Sequence, residues 1–132
     1  METTDYCDYK LSLALKKAGF DYPCYFYYTR EDAPDDHVWS TTSEEAPVNY
    51  NRSVYAGCSM PTLAHAQKWL REKGIAVSVQ ANEIQGELWY SADIITTKGI
   101  NELVDGGFDY MEYEAALSAG IASALELVKK GE

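Results

Sequence analysis

The alternation of apolar and polar residues over residues 75–80 constrains the fold of this chain more than any other feature. In the segment IAVSVQ, Ile75, Val77 and Val79 lie on one side of an extended chain, and the residues between them lie on the other. The segment ELWYSADIIT follows after the short connection ANEIQG. A connection this short favours an antiparallel hairpin with one buried face.

A second hairpin is predicted around the aromatic segment CYFYYTR, residues 24–30. This segment has the composition of a strand, and HVWSTT is the candidate partner strand across EDAPDD. Phe26 is expected to face the core, while Tyr25 and Tyr27 face the other side. The polar residues around 31–58 predict a long loop or hairpin, and KGINELVDGGFDY is read as a loop or irregular edge.

Three helices are predicted from apolar spacing, over about residues 8–18, 61–73 and 113–130. Pro61 and Thr62 are start signals for the second helix, and Gly19 and Gly74 are stop signals for the first two. The order is therefore α-β-β-α-β-β-α. This order predicts a single α+β domain over residues 1–132, with an antiparallel sheet of two hairpins and three helices packed mainly on one face.

The charge of the chain narrows the possible partners. Twenty-one acids and eleven bases give a formal net charge of -10, and no stripe of Lys or Arg is present. Nucleic acids and anionic membranes require a basic surface, so neither is an expected partner. A basic protein partner, or solubility alone, fits the charge better.

The sequence has the features of a cytoplasmic protein without a cofactor. The first ten residues, METTDYCDYK, contain no apolar signal segment, and no apolar run is long enough to span a bilayer. The three scattered cysteines are expected to be reduced thiols. Asp35, Asp36 and His37 are too close in sequence to surround a metal ion by themselves, and no nucleotide or metal motif is present.

The aromatic segment is the candidate interaction site. Eleven Tyr against three Phe favour partly exposed rings, and Tyr is enriched at protein interfaces. We therefore expect a non-enzymatic protein-interaction module, with a protein partner or a homodimer as the assembly. The alternative is that the rings fill one face of a sheet. The candidate contact residues are Tyr25, Tyr27, Tyr28, Arg30 and Trp39.

Two other functions remain open from the sequence. Cys58 lies just before the second predicted helix, whose positive end could activate a thiol, so a small Cys-dependent enzyme assisted by His37 or His65 is one alternative. The other is an acidic mimic of DNA that occupies the basic site of another protein.

Two segments resemble a known group of proteins. They are PTLAHAQKWLREKGIAVSV, residues 61–79, and YEAALSAGIASALELV, residues 113–128. They resemble signatures of a family of small uncharacterised proteins of Bacteroides-type gut bacteria, their phages and mobile elements. The resemblance covers roughly the C-terminal half of the chain. It implies a phage-related or accessory intracellular protein and carries no catalytic residue.

Overall fold

The computed structural model describes residues 5–28, 38–40, 47–52 and 57–129. The chain divides into two compact units, residues 1–66 and 67–132. Because two compact units can still fold as one domain, the single domain over residues 1–132 stays a prediction.

The first unit contains one helix and a small antiparallel sheet. Its elements are α1 (Tyr9–Lys17), β1 (Phe26–Tyr28), β2 (Val38–Ser40) and β3 (Cys58–Ser59). The strand order is β2-β1-β3, with Tyr27 opposite Trp39 and Tyr28 opposite Cys58. The predicted pairing of the aromatic segment with HVWSTT is thus confirmed.

Local capping determines where α1 begins and ends. The Asp8 side chain accepts a hydrogen bond from the backbone N–H of Leu11, at 2.8 Å. At the other end, Gly19 has φ +98, and the Phe20 N–H donates to the Leu15 carbonyl at 2.9 Å. This arrangement satisfies carbonyls that the end of a helix would leave unpaired. The predicted bounds of the first helix are confirmed to within one residue.

The second unit is built on a long hairpin. Helix α2 (Leu63–Glu72) starts in the first unit and ends in the second, and its Thr62 hydroxyl accepts from the His65 N–H at 3.0 Å. The other elements of the second unit are β4 (Ile75–Ile84), β5 (Glu87–Thr96), β6 (Asn101–Leu103) and α3 (Tyr113–Lys129). The antiparallel order is β4-β5-β6, and a turn at Gln85 and Gly86 joins the first two strands.

Helix α3 covers one face of this hairpin. Ile75, Val77, Ala92 and Ile94 are buried on the strands, and Leu117, Gly120, Ile121, Ala124 and Leu125 are buried on the helix. The core of the second unit is therefore the layer between α3 and the near half of the hairpin. The far half of the hairpin has mostly exposed or half-exposed side chains.

The α+β class is confirmed, together with the order of three helices and two hairpins. Each hairpin also has a third short strand, β3 in one and β6 in the other, and the hairpins form two sheets rather than one. The prediction of ANEIQG as a turn was wrong, because β4 runs to Ile84 and only two residues turn. Of the predicted long loop, residues 31–37, 41–46 and 53–56 lie outside the described residues.

Within the part of the chain that the structure describes, no helix combines the length and the apolar character needed to cross a membrane.

Candidate interaction surfaces

The aromatic segment divides into residues with different surroundings. Tyr25 is half exposed, at 50% of its surface, just before β1. Tyr27 is partly buried, and its ring lies 4.3 Å from the ring of Tyr50, which is buried. Tyr25 is therefore the ring of this segment that a partner can reach with least rearrangement.

Tyr28 belongs to the core, which does not favour its predicted role as a contact residue. Only 4% of its surface is exposed, and it packs with Cys58 and Met60. Its hydroxyl donates to the Cys7 carbonyl at 2.9 Å, and its ring meets the Tyr9 ring edge-on at 5.4 Å. A buried Tyr is stable here because its hydroxyl has an internal acceptor.

The structure describes little of two further predicted contact residues. Arg30 lies outside the described residues. For Trp39 the structure gives the backbone alone, which pairs with Tyr27 across β1 and β2.

An apolar cleft of about 240 Å³ opens beside Tyr25. Its lining includes Tyr6, Pro23, Tyr25, Phe26, Met60 and His65. The rings of Tyr6 and Phe26 meet edge-on at 5.5 Å, and His65 packs against the Tyr22 ring at 5.0 Å. The cleft is thus lined by rings and apolar side chains that already contact one another.

Backbone hydrogen bonds hold the walls of this cleft in place. The Cys7 N–H donates to the Pro61 carbonyl at 2.9 Å, and the Met60 N–H donates to the Phe26 carbonyl at 2.9 Å. Cys24 and Val48 exchange a pair of such bonds, at 2.8 and 3.0 Å. Because four chain segments are tied together around it, the cleft exists before any partner binds.

The three thiols are buried in the first unit and free of disulfides. Burial raises the pKa of Cys24 to about 11, and the neighbouring Ser59 side chain acts in the opposite direction. Burial, followed by the charge of Asp8 and the other two thiols, raises the pKa of Cys7 far above its usual range. Thiols in such surroundings are protonated at neutral pH and are poor nucleophiles.

Cys58 has the wrong position for the predicted nucleophile. It lies in β3 rather than at a helix start, and none of its surface is exposed. A substrate therefore has no direct access to its sulfur. Among residues 5–28, 38–40, 47–52 and 57–129, no group of three or more His, Cys, Asp or Glu side chains is placed to hold a metal ion.

The second unit has an exposed aromatic surface that the sequence did not reveal. We call it the aromatic edge. It consists of Leu88, Tyr90, Phe108, Tyr110, Met111 and Tyr113. Four of its side chains are strongly exposed: Leu88 at 61%, Phe108 at 59%, Met111 at 72% and Tyr113 at 43%. Apolar side chains grouped at this exposure are uncommon unless they serve binding.

The aromatic edge is assembled from β5 and the segment that leads into α3. Tyr90 and Tyr110 pair across the two segments through backbone bonds of 2.8 and 2.6 Å. The Tyr90 ring meets the Tyr113 ring at 5.8 Å, and the Phe108 ring meets the Tyr110 ring at 4.8 Å. Leu88 lies two residues from Tyr90 and so on the same face of β5.

Several acids are close in sequence to the residues of the aromatic edge. They are Glu87, Asp105, Asp109, Glu112 and Glu114. Asp105 accepts a hydrogen bond from the Tyr110 hydroxyl, which raises the pKa of Tyr110 to about 12. Asp109 accepts from Asn82 Nδ2 at 2.8 Å. The first bond fixes the Asp105 carboxylate beside the rings. Asn82 also bonds Ser91 and pairs with Trp89, so it holds Asp109 on the other face of the hairpin.

Sequence reasoning missed the aromatic edge because its residues come from separate segments that only the fold brings together. The available signal was the density of rings, Met and acids in FDYMEY, residues 108–113, in a segment read as an irregular edge.

The chain matches no protein-family model, no curated protein and no solved structure in the comparisons made with each. The resemblance of residues 61–79 and 113–128 to proteins of Bacteroides-type bacteria therefore stays a prediction.

Proposed function

We propose that this chain is a non-enzymatic protein-interaction module whose contact surface in the first unit is centred on Tyr25 and the cleft beside it. The observation that carries this proposal is a half-exposed Tyr ring at a preformed apolar cleft. Tyr adds a large apolar area to an interface and loses little side-chain entropy when it is covered.

The size of the cleft suits a side chain of a partner protein. Pockets for drug-sized ligands and cofactors start at roughly 300 Å³, and this cleft has about 240 Å³. An apolar side chain inserted in such a cleft is the usual anchor of a protein interface. The net charge of -10 favours a basic partner, which is also what the acidic-mimic alternative requires.

The Cys-dependent enzyme receives no support from the fold, because the Cys58 side chain is fully buried. The three free thiols are consistent with a reducing compartment, so we propose that the module works in the cytoplasm. An origin in a gut bacterium or its phage is the corresponding proposal from the resemblance.

The test is a pull-down from a Bacteroides-type lysate with three forms of the chain: wild type, Tyr25→Ala and Val48→Ala. Val48 is the matched control, since its side chain is similarly exposed, at 45%, in the same unit and does not line the cleft, and the substitution leaves its backbone bonds to Cys24 in place. Tyr27 is left intact because its ring packs on Tyr50, so its removal would disturb the core. We expect a protein that wild type and Val48→Ala retain and Tyr25→Ala loses.

Recovery of the same proteins by all three forms would contradict the proposal. Sedimentation of the purified forms tests the homodimer. A dimer that Tyr25→Ala dissociates and Val48→Ala does not would make a second copy the partner. To attribute the loss of a partner or of the dimer to the Tyr25 side chain, the three forms must have equal unfolding midpoints.

A further inference from the structure

We propose that the aromatic edge binds a basic, amphipathic segment of another protein. This surface lies in the second unit and shares no residue with the cleft at Tyr25. The inference therefore holds or fails separately from the proposed function of the first unit.

Contacts among its rings make the aromatic edge one connected surface. The ring contacts join Tyr113 to Tyr90 and Phe108 to Tyr110, and backbone pairing joins Tyr90 to Tyr110. Leu88 extends the patch along β5 on the same face. A folded chain keeps such a group in water at a free-energy cost, and covering it with apolar side chains recovers roughly 25 cal/mol per Å².

The surface is also rigid enough to act as a template. Tyr90 and Tyr110 are held by two backbone hydrogen bonds, and Tyr113 is the first residue of α3. Binding then requires little ordering of the chain itself, which raises affinity for a given contact area. On binding, the exposed side chains of Leu88, Phe108 and Met111 are the ones that become ordered against the partner.

Charge determines which partner fits. The sole base between Gly74 and Val128 is Lys98, whereas this stretch contains nine acids. A segment with Lys or Arg on one side and apolar residues on the other would match both the acids and the rings. Its cations can also lie over the faces of the tyrosine rings.

A second copy of this chain is the poorer occupant. A symmetric contact places each surface against itself, so the Asp105 carboxylates of both copies, each fixed by the Tyr110 hydroxyl, would be brought together. Like charges juxtaposed at an interface are destabilising. The rings alone would favour self-association, and the acids oppose it.

The test is a titration of the whole chain with fluorescently labelled synthetic peptides. One peptide combines Lys and Leu in an amphipathic helical pattern, a second replaces Lys with Glu, and a third replaces Leu with Ser. We expect binding of the Lys/Leu peptide that weakens with added salt, because the charges are exposed. The Glu/Leu and Lys/Ser peptides should bind at least about tenfold more weakly.

Two variant pairs locate the site without changing the net charge. Phe108→Ser with Met111→Ser removes exposed apolar area from the aromatic edge and should weaken the Lys/Leu peptide about tenfold. Ile95→Ser with Leu103→Ser is the matched control, because these side chains are 44% and 66% exposed in the same unit but outside the aromatic edge. The control pair should retain wild-type affinity, and so should Tyr25→Ala.

Equal weakening of binding by both variant pairs would overturn the proposal, because the effect would then not be specific to the aromatic edge. Equal affinity for the Lys/Ser peptide would also overturn it, since the acids would then bind the peptide without the rings. Self-association of wild type that Phe108→Ser with Met111→Ser abolishes would overturn it in favour of a second copy. If the double variant fails to fold, Phe108→Ser alone decides. Its side chain belongs to the ring cluster and is 59% exposed, so we expect weaker binding with an unchanged unfolding midpoint.

Discussion

At the scale of single residues, the buried thiol of Cys24 makes stability depend on pH. Its pKa is about 11 in the folded chain, against 9.0 for an ordinary thiol. Below pH 9 both states keep the proton, so the thiol adds no pH dependence. Between pH 9 and 11 the unfolded chain loses the proton while the folded chain retains it. Folding is therefore destabilised as the pH rises, by up to about 1.4 kcal/mol per pH unit.

The measurement is the free energy of unfolding in urea at pH 8 and pH 10.5, with a reducing agent present. Cys24→Ala is the comparison variant, because Tyr and Lys side chains titrate in the same range and are common to both proteins. We expect wild type to lose more stability than Cys24→Ala between the two values. Parallel losses in the two proteins would show that this thiol has an ordinary pKa.

At the scale of elements, the contact of α3 with the hairpin depends on Gly120. A Cβ at this position would lie 2.4 Å from Val77 Cγ1 and 3.4 Å from Ala92 Cβ. At a solvent-exposed position inside a helix, replacing Gly with Ala increases the free energy of unfolding by about 1 kcal/mol. Here the clash should cost roughly 1–3 kcal/mol, so we expect Gly120→Ala to unfold at lower urea concentration than wild type.

The control for Gly120→Ala is a double-mutant cycle with Val77→Ala. Truncation of Val77 removes the atom that the new methyl group meets, so Gly120→Ala should cost less in that background than in wild type. An alanine at position 120 that stabilises the chain, alone or equally in both backgrounds, would show that α3 does not approach β4 this closely.

Elements differed in how well the sequence predicted them. The helices were predicted well because their apolar stripes extend over two or more turns and polar or glycine residues mark their ends. The short strands β3 and β6 were missed, since two or three residues are too few to show an alternation. The hairpin bounds were wrong because the far half of β4 and β5 is exposed on both faces, so nothing requires alternation there.

The candidate sites were predicted less well than the elements. Tyr25 was identified from ring density alone, and its exposure agrees with that choice. The burial of Tyr28 has no local signature, because its hydroxyl acceptor, the Cys7 carbonyl, lies twenty-one residues away in sequence. The aromatic edge depends on Tyr90 meeting residues 110 and 113. A contact of that range is a property of the fold and has no local signature.

At the scale of the whole molecule, the acidic charge is distributed evenly. Residues 1–66 contain ten acids and five bases, and residues 67–132 contain eleven acids and six bases, so each half has a formal net charge of -5. Self-repulsion of this kind keeps a protein in solution but disfavours its compact state. Salt screens exposed charges over about 10 Å at 0.1 M.

We therefore expect added sodium chloride to stabilise the chain, by on the order of 1 kcal/mol. The measurement is the urea midpoint at low salt and at half-molar salt. Glu102→Gln with Glu112→Gln, which removes two exposed acids from one stretch, should gain less from salt than wild type does. A midpoint that falls with salt in wild type would show that attractive charge pairs outweigh the repulsion.

The edges of the second sheet have a consequence for behaviour at high concentration. An unpaired strand edge is a template on which further copies can add into fibres. Here β6 has only three residues before a 3-10 turn at Val104–Gly107 interrupts it. On the opposite edge, Gln67 Nε2 of α2 donates to the Val77 carbonyl of β4 at 2.8 Å. The short β6 and the side-chain contact at Val77 therefore reduce the length of open strand edge on which another copy of this sheet could add.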